Sequence, residues 1–334
     1  MILFGLLIIA LGAFCQSSSY VPINKIRSWS WETYWLVQGI FAWIALPLLG
    51  ALLAVPEGDS LTELFAAHSD ATLRTVFYGM LWGVGGLTFG LSMRYLGVAL
   101  GQSISLGTCA ALGTILAPAV TGQTSSLTAA VLWGVVVTLV GIAVIGVAGS
   151  MKARMLSASG KGTTVKEFNF VKGVTVALFA GVMSACFNIG LYEGSSIRFE
   201  GTDPLYATLP ATLLVTLGGF VSNAVYCFSQ NSRNNTWGDY AKGGVWFNNL
   251  LFCILAGALW YSQFFGLAIG KGFLVDSPVL YTFAFCILMA LNVVFSNFWG
   301  IVLKEWKGCN LRTIAVLAVG LIILIVSSFI PQFL

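Results

Sequence analysis

The chain has 334 residues, of which 58% are hydrophobic and 8% are charged, with a net charge of +4. A soluble domain carries about 25% charged residues, so this composition is too poor in polar groups to cover a water-exposed surface. The mean hydropathy of +0.91 therefore excludes a soluble enzyme, a nucleic-acid-binding protein and a disordered chain. It predicts an all-α polytopic membrane protein surrounded by lipid.

Ten apolar segments follow one another along the chain, separated by charged or turn-forming residues. They cover residues 2–22, 33–55, 75–96, 98–120, 127–148, 173–195, 205–228, 245–269, 279–303 and 313–331. Each is close to the roughly 20 residues that a membrane-spanning helix needs. The first lacks the basic residues that open a secretory signal, so we expect it to be retained. The sequence therefore predicts ten transmembrane helices.

Lysine and arginine are distributed unevenly between the predicted connections. The odd-numbered connections hold thirteen of these residues, and the even-numbered ones hold Arg74, Arg198 and Lys271. Because basic connections are retained in the cytoplasm, the odd-numbered connections are predicted to be cytoplasmic. Both termini are then predicted to lie outside.

The longest basic connection, residues 149–172, divides the chain into two halves with five predicted spans each. Five is an odd number, so residues 173–334 must enter the membrane from the side opposite to residues 1–148. This predicts an inverted 5+5 repeat, in which alternating access arises by rocking about a central site. The halves share no strong residue-level repeat, so this prediction rests on topology alone.

Four ionisable residues within or next to the predicted spans are candidates for proton coupling or gating, because a charge in a membrane is costly. They are Glu32, Arg94, Glu193 and Asp203. Glu193 is the candidate proton carrier, since desolvation in a cavity would favour its neutral form; exposure to the outer water would remove that role. Each of the others has a structural alternative. Glu32 and Asp203 can stabilise helix N-termini, and Arg94 can snorkel or pair.

Uncharged polar and aromatic side chains inside the spans are candidates for binding a neutral polar substrate. They include Trp82, Gln102, Asn188, Asn223, Trp260 and Gln263. Trp260 and Gln263 are three residues apart and share a helical face, where a flat apolar ring beside an amide suits a sugar. The alternative is that these groups form hydrogen bonds and packing contacts between helices.

Small residues and prolines also have predicted roles. The third predicted span carries a row of glycines, at Gly79, Gly83, Gly86 and Gly90. This spacing predicts close packing against a neighbouring helix. Pro47 and Pro210 lie inside the second and seventh predicted spans, where each would remove a hydrogen bond and permit a bend. Such a bend is either a gating hinge or a packing kink.

Five stretches spread over both halves of the sequence carry a family resemblance. They are residues 25–33 (KIRSWSWET), Trp82-Gly83 through Met93-Arg94-Tyr95-Leu96-Gly97, Asp203-Pro204-Leu205-Tyr206 with Pro210, Trp260-Tyr261-Ser262-Gln263-Phe264-Phe265, and Leu303-Lys304-Glu305-Trp306. Together, and in this order, they resemble the bacterial L-rhamnose/proton symporter family of the drug/metabolite transporter superfamily. The resemblance implies ten helices in an inverted 5+5 arrangement, residence in the inner membrane, and uptake of a 6-deoxyhexose driven by the proton gradient.

The resemblance also bears on individual positions. It favours family-wide roles for Trp82, Arg94, Asp203, Tyr206, Trp260 and Gln263, without assigning those roles. Tyr206 is included among the expected sugar-binding residues. The chain departs from the family pattern at Gly86 and Thr88, where asparagine is usual, and at Gln102, where an apolar residue is usual. A change in sugar specificity is expected first at these three positions.

The leading expectation is thus a proton-coupled importer of L-rhamnose or a related deoxysugar that works by alternating access. The alternative is an exporter, or a carrier of another small polar metabolite, on the same fold. One histidine, scattered cysteines and no nucleophile motif argue against an enzyme. The expected partners are therefore the sugar, protons and membrane lipid, with no cofactor and no nucleic acid.

Overall fold

Apolar α-helices make up most of the computed structural model, which describes residues 1–23, 25–96, 98–158, 169–304 and 306–332. The helices are α1 (Ile2–Ser18), α2 (Tyr20–Ile23), α3 (Trp31–Ile40), α4 (Leu46–Leu52), α5 (Leu61–Ala67), α6 (Ser69–Leu96), α7 (Val98–Val120), α8 (Ala129–Ala158), α9 (Phe170–Glu193), α10 (Leu209–Asn234), α11 (Gly243–Gly272), α12 (Pro278–Val302) and α13 (Leu311–Ser327). A π-helical segment, Phe41–Ala45, joins α3 to α4. No strand occurs among the described residues, so the predicted all-α class is confirmed.

Nine helical segments of the described chain are long and apolar enough to cross a membrane. They correspond to the first nine predicted spans, with α1 and α2 forming one segment and α3 to α4 forming another. The tenth predicted span corresponds to α13, which has 17 residues and is therefore about 26 Å long. This is slightly less than the roughly 30 Å of a bilayer core. The membrane class is confirmed, and the count of ten remains a prediction.

Several helices continue beyond the predicted span boundaries. The third span was predicted to begin at residue 75, but α6 begins at Ser69 and includes Arg74. The fifth was predicted to end at residue 148, but α8 continues to Ala158 and includes Lys152 and Arg154. Lysine and arginine are good helix formers, so a charge that marks the edge of the membrane does not end the helix.

The two prolines differ in their effect on the helices. Because α10 begins at Leu209, Pro210 lies in its first turn, where the missing N–H costs no hydrogen bond. The bend predicted at Pro210 is therefore wrong. Pro47 lies near the start of α4 and lacks the N–H that would bond to the Trp43 carbonyl. The Leu46 N–H bonds to the Phe41 carbonyl, five residues back, so Pro47 does coincide with an interrupted α-helix.

Two compact units divide the chain. The first unit consists of Met1–Gly83 and Gly190–Asp276, and the second consists of Val84–Ile189 and Ser277–Leu334. Each unit therefore contains segments from both halves of the sequence, and α6 and α9 each contribute to both units. The division into repeats at residues 149–172 stays a prediction, and residues 159–168 of that connection lie outside the described part of the chain.

In the first unit, glycines allow α6 and α10 to approach closely. A Cβ added to Gly79 would collide with the backbone of Val215, and one added to Gly83 would lie 2.7 Å from the Gly219 carbonyl oxygen. The predicted packing role is therefore confirmed at these two glycines. It is wrong for Gly86 and Gly90, because no described atom lies within 4 Å of a Cβ at either position.

In the second unit, α13 packs against α8 through aliphatic side chains. Ile142 and Ile145 of α8 form a buried cluster with Leu317 and Leu324 of α13. Burial of such side chains from water stabilises soluble cores, whereas in lipid the gain comes from close packing. The short α13 is therefore held to the rest of its unit by a well-packed helix interface.

Candidate functional site

Five aromatic side chains of the first unit form a tryptophan cluster, which we define as Trp35, Trp43, Trp82, Trp260 and Phe264. The ring centroid of Trp43 lies 5.6 Å from Trp35, 6.3 Å from Trp82 and 5.5 Å from Trp260. The Trp82 and Trp260 centroids are 5.8 Å apart, and Phe264 is 5.2 Å from Trp260. Most pairs meet edge to face, which is a favourable geometry for aromatic rings. The structure thus brings together Trp82 and Trp260, two of the predicted sugar-binding residues.

Small residues and the π-helical segment position the rings of this cluster. Trp43 lies in the π-helical segment that precedes Pro47, and such segments are frequent at functional sites. A Cβ on Gly39 would lie 2.6 Å from the Trp43 ring. A Cβ on Gly219 would collide with the Trp82 ring. The two glycines therefore provide the space that the indoles occupy.

Asn223 connects the tryptophan cluster to the backbone of α6 and α10. Its Oδ1 accepts a hydrogen bond of 2.9 Å from the Trp35 Nε1–H. Its Nδ2 donates to the Gly219 carbonyl at 2.8 Å and to the Gly83 carbonyl at 3.4 Å. Asn223 is buried, and both ends of its amide have partners. In this structure Asn223 therefore orients Trp35, which is the structural alternative for this residue.

Trp43 presents a buried hydrogen-bond donor that has no acceptor. The side chain is 3% exposed, and its Nε1–H has no hydrogen-bond partner among the described residues. The buried Oε1 of Gln38, on the same span, likewise has no donor within the described chain. Leaving a buried polar group unpaired costs about 1–3 kcal/mol, so each such group in a folded protein calls for an explanation. A polar ligand that binds in another step of a transport cycle would supply one.

Glu193, at the end of α9, forms an ion pair with Arg74 of α6. The Arg74 Nε–H donates to Glu193 Oε2 at 2.8 Å, and its Nη1–H donates to Asp70 Oδ2 at 2.5 Å. The Glu193 side chain is 14% exposed, whereas that of Arg74 is 51% exposed. Glu193 is thus partly shielded from water and held beside a cation.

A second cation of the first unit lies beside the residue that precedes Glu193. Lys271, in the last turn of α11, is buried, and its Nζ lies 5.4 Å from the ring centroid of Tyr192. The sequence pattern assigned Arg74 and Lys271 to connections between spans. The structure places both within helices, where they contact the C-terminal end of α9.

Glu32 belongs to a polar network at the start of α3. Its Oε1 accepts hydrogen bonds from Asn234 Nδ2 at 2.9 Å and from Thr236 Oγ1 at 2.8 Å. It also lies in the first turn of α3, where an acidic side chain interacts favourably with the positive end of the helix dipole. These contacts fit the structural alternative for Glu32, which ties the start of α3 to the end of α10.

Asp239 extends this network outside the membrane-spanning helices. Its carboxylate accepts a hydrogen bond of 2.6 Å from the Ser30 backbone N–H and pairs with Lys242 Nζ at 2.5 Å. Burial by itself raises the pKa of the Asp239 carboxyl, but the hydrogen bonds from Lys242 and Ser30 outweigh that effect. The pKa of Asp239 is therefore below its ordinary value.

The remaining predicted site residues lie elsewhere in the chain. Asn188 is buried in the second unit and donates to the Gly113 carbonyl at 2.7 Å. Asp203 and Tyr206 belong to the turn before α10, where Asp203 Oδ1 accepts from the Leu205 N–H at 2.9 Å. Gln263 is buried on α11. The side chains of Arg94 and Gln102 lie outside the described residues.

Trp35 and Trp43 are members of the tryptophan cluster that the sequence analysis did not single out. Aromatic residues are common in apolar spans, and nothing in the sequence distinguishes these two from ordinary packing residues. The one available signal is the spacing between Trp43 and Pro47. A proline four residues later leaves the Trp43 carbonyl without its α-helical partner, which marks this turn as irregular.

Comparison with known proteins gives a consistent match over almost the whole chain. The sequence model of the family described as "L-rhamnose-proton symport protein" matches residues 1–333. Proteins named "L-rhamnose-proton symporter" from Mannheimia succiniciproducens and Cronobacter sakazakii are 32% and 33% identical to the chain, respectively. These alignments cover 98% and 97% of this chain and 96% and 95% of the two relatives. A protein of the same name from Escherichia coli is 32% identical over 95% of this chain and 94% of its own length.

Proposed function

Because the chain belongs to the L-rhamnose-proton symport protein family, we propose that it imports L-rhamnose, or a related deoxysugar, together with protons. It is a multi-pass membrane transporter and not an enzyme. The structural observation that carries the proposal is the tryptophan cluster, which contains the buried and unpaired indole N–H of Trp43.

The tryptophan cluster has the chemistry that a deoxysugar requires. One face of a pyranose presents C–H groups that stack on an aromatic ring, while its hydroxyls need hydrogen-bond donors and acceptors. Trp82 and Trp260 are only partly buried, so part of each side chain can be reached by a ligand. The Trp43 Nε1–H is then the donor to a sugar hydroxyl. Of the other predicted sugar-binding residues, Gln263 lies on α11 three residues after Trp260.

The proposed topology has ten spans, with α13 as the tenth, in an inner membrane. Residues 1–148 and 173–334 form an inverted pair of five-helix repeats, and residues 149–172 are the cytoplasmic linker between them. Both termini are periplasmic. This arrangement is supported by the count of thirteen basic residues in odd connections against three in even ones, since basic connections stay in the cytoplasm.

Glu193 is the proposed proton carrier, and Arg74 is its partner. In the ionised state the carboxylate attracts the Arg74 guanidinium, and their contact joins the end of α9 to the start of α6. When a proton from the outer water binds to a carboxylate oxygen of Glu193, the neutral acid loses most of this attraction. Protonation therefore weakens a contact between two helix ends, which is the local change that a gating motion requires.

Helix α11 provides a physical connection between the sugar and the proton carrier. It carries Trp260 in the tryptophan cluster and Lys271 in its last turn, and eleven residues of helix correspond to about 16 Å. The Lys271 ammonium lies over the ring of Tyr192, the residue before Glu193. A displacement of α11 on sugar binding would thus reach the helix end that carries Glu193.

Coupling further requires that the sugar bind more tightly to the protonated form than to the ionised form. A ligand shifts an equilibrium only by its differential affinity for the two states. By the same linkage, protonation and sugar binding must strengthen each other by an equal factor. Sugar affinity should therefore increase on acidification, and replacing Glu193 with an uncharged side chain should remove that dependence.

Thermal unfolding of the purified protein with added sugars tests the substrate. A ligand that binds the native state raises the midpoint according to its concentration relative to Kd. L-Rhamnose should raise the midpoint, and L-mannose, which differs from it by a hydroxyl at C6, should do so less. An unchanged midpoint with L-rhamnose, in protein that shows a cooperative transition, would favour the carrier of another metabolite.

A further inference from the structure

A groove between α7 and α8 in the second unit is not used by the transport mechanism. It has a volume of about 530 Å³, which is within the range of ligand-binding pockets. Most of its wall is apolar, with Ile104, Leu139, Ile142, Ala143, Val147 and Met151 among the lining residues. Val147 is 54% exposed, so the groove opens to the lipid that surrounds the spans.

The shape of the groove follows from the sequence of α8. Leu139, Ala143, Val147 and Met151 are each four residues apart, so they form one row along the helix. Gly107 of α7 lines the opposite side, where a Cβ would come into ordinary contact with Ile142, at 3.4 Å. From Leu139 to Arg154 the row is about 22 Å long. This exceeds the half-thickness of a bilayer core of roughly 30 Å.

A cation lies at one end of this apolar row. Arg154 lines the groove and is exposed one residue before the end of the candidate span Ala129–Met155. The end of a span is where the lipid headgroups are expected to begin. The lining contains no carboxylate among the described residues. Lys152, two residues before Arg154 on α8, adds a second cation to this end of the helix, so the apolar row ends beside positive charge.

We propose that the groove binds an anionic phospholipid. One acyl chain lies along the row from Leu139 to Met151, and the headgroup phosphate pairs with the Arg154 guanidinium. Basic pockets between transmembrane helices are known to recognise acidic headgroups, and guanidinium binds phosphate through two parallel hydrogen bonds. A zwitterionic lipid would fill the same apolar row, but the cationic group of its head would be repelled by Lys152 and Arg154.

Native mass spectrometry of the delipidated protein, titrated with phosphatidylglycerol or phosphatidylcholine, tests the proposal. Phosphatidylglycerol should be retained in preference to phosphatidylcholine. Arg154→Gln should weaken phosphatidylglycerol binding roughly five-fold, which is the usual effect of one basic residue near a membrane surface. Ala143→Phe should weaken it as well, by filling the groove. Both positions are exposed, so neither substitution disturbs the core.

Arg312→Gln is the matched control, because Arg312 is an exposed arginine at the start of α13 that does not line the groove. This variant should bind phosphatidylglycerol as the unmodified protein does. Equal retention of the two lipids would overturn the proposal. So would unchanged binding in Ala143→Phe, or an equal loss in Arg312→Gln and Arg154→Gln, since either result would indicate charge attraction without a groove.

Discussion

Replacing Trp43 by phenylalanine is the substitution that most directly tests the role of the tryptophan cluster. It keeps an aromatic ring in the π-helical segment and removes one N–H, which has no acceptor among the described residues. If that N–H donates to the sugar in the bound state, the variant loses one hydrogen bond. A net hydrogen bond contributes about 0.5–1.5 kcal/mol, so the Kd for L-rhamnose should rise by about two- to twelve-fold.

Trp35→Phe provides the matched control for this substitution. It removes an indole N–H from the same cluster, but this N–H is already bonded to Asn223 Oδ1 at 2.9 Å. The variant leaves that buried oxygen unpaired, which should destabilise the protein by about 1–3 kcal/mol. Its affinity for L-rhamnose should change by less than about two-fold, because the sugar does not use this donor.

Isothermal titration calorimetry with L-rhamnose, combined with thermal unfolding of each variant, measures both effects. The expected pattern is a loss of affinity in Trp43→Phe and a loss of stability with retained affinity in Trp35→Phe. An unchanged Kd in a folded Trp43→Phe variant would refute the assignment of Trp43 as a donor to the sugar.

Three further predictions concern the proton carrier, the polar network and helix packing. Glu193→Gln should abolish accumulation of L-rhamnose driven by a proton gradient while counterflow exchange continues, and accumulation at the normal rate would remove Glu193 from the mechanism. Because the pKa of Asp239 is lower in the folded protein, its contribution to stability is complete above its unfolded pKa and is lost as the pH falls through the folded value. Thermal unfolding should therefore show a smaller decrease in stability between neutral and acidic pH in Asp239→Asn, and an identical decrease would contradict the network. Gly79→Ala should lower stability by about 1–3 kcal/mol because its Cβ collides with the Val215 backbone. The control Gly86→Ala should change stability little, since no described atom lies within 4 Å of its Cβ. Equal unfolding midpoints for the two variants would show that the α6–α10 contact is looser than described.

The helical membrane class could be predicted from the sequence because a long apolar run has few alternative structures. Composition and spacing were sufficient for the approximate positions of the spans, and the first nine correspond to membrane-length helices. The helix ends were predicted less well. Arg74 was taken to mark a connection, but arginine is a good helix former, and α6 continues through it.

The candidate site could be predicted only in part. Trp82 and Trp260 were identified from the sequence because aromatic rings suit a sugar, and the structure brings them together with Trp43. The contribution of Trp43 itself depends on a π-helical turn and on space left by Gly39. Neither the turn nor the space follows from periodicity, because a regular helical repeat treats every turn as alike. The one local signal is Pro47, four residues after Trp43.

Proton-coupled import is most directly tested by uptake of labelled L-rhamnose into proteoliposomes that contain only this protein, with and without an inward proton gradient. We expect saturable accumulation that requires the gradient and collapses when a protonophore is added. Proton-coupled import would be contradicted if the rate and the final extent of uptake were the same with and without the gradient, or if folded protein showed no uptake.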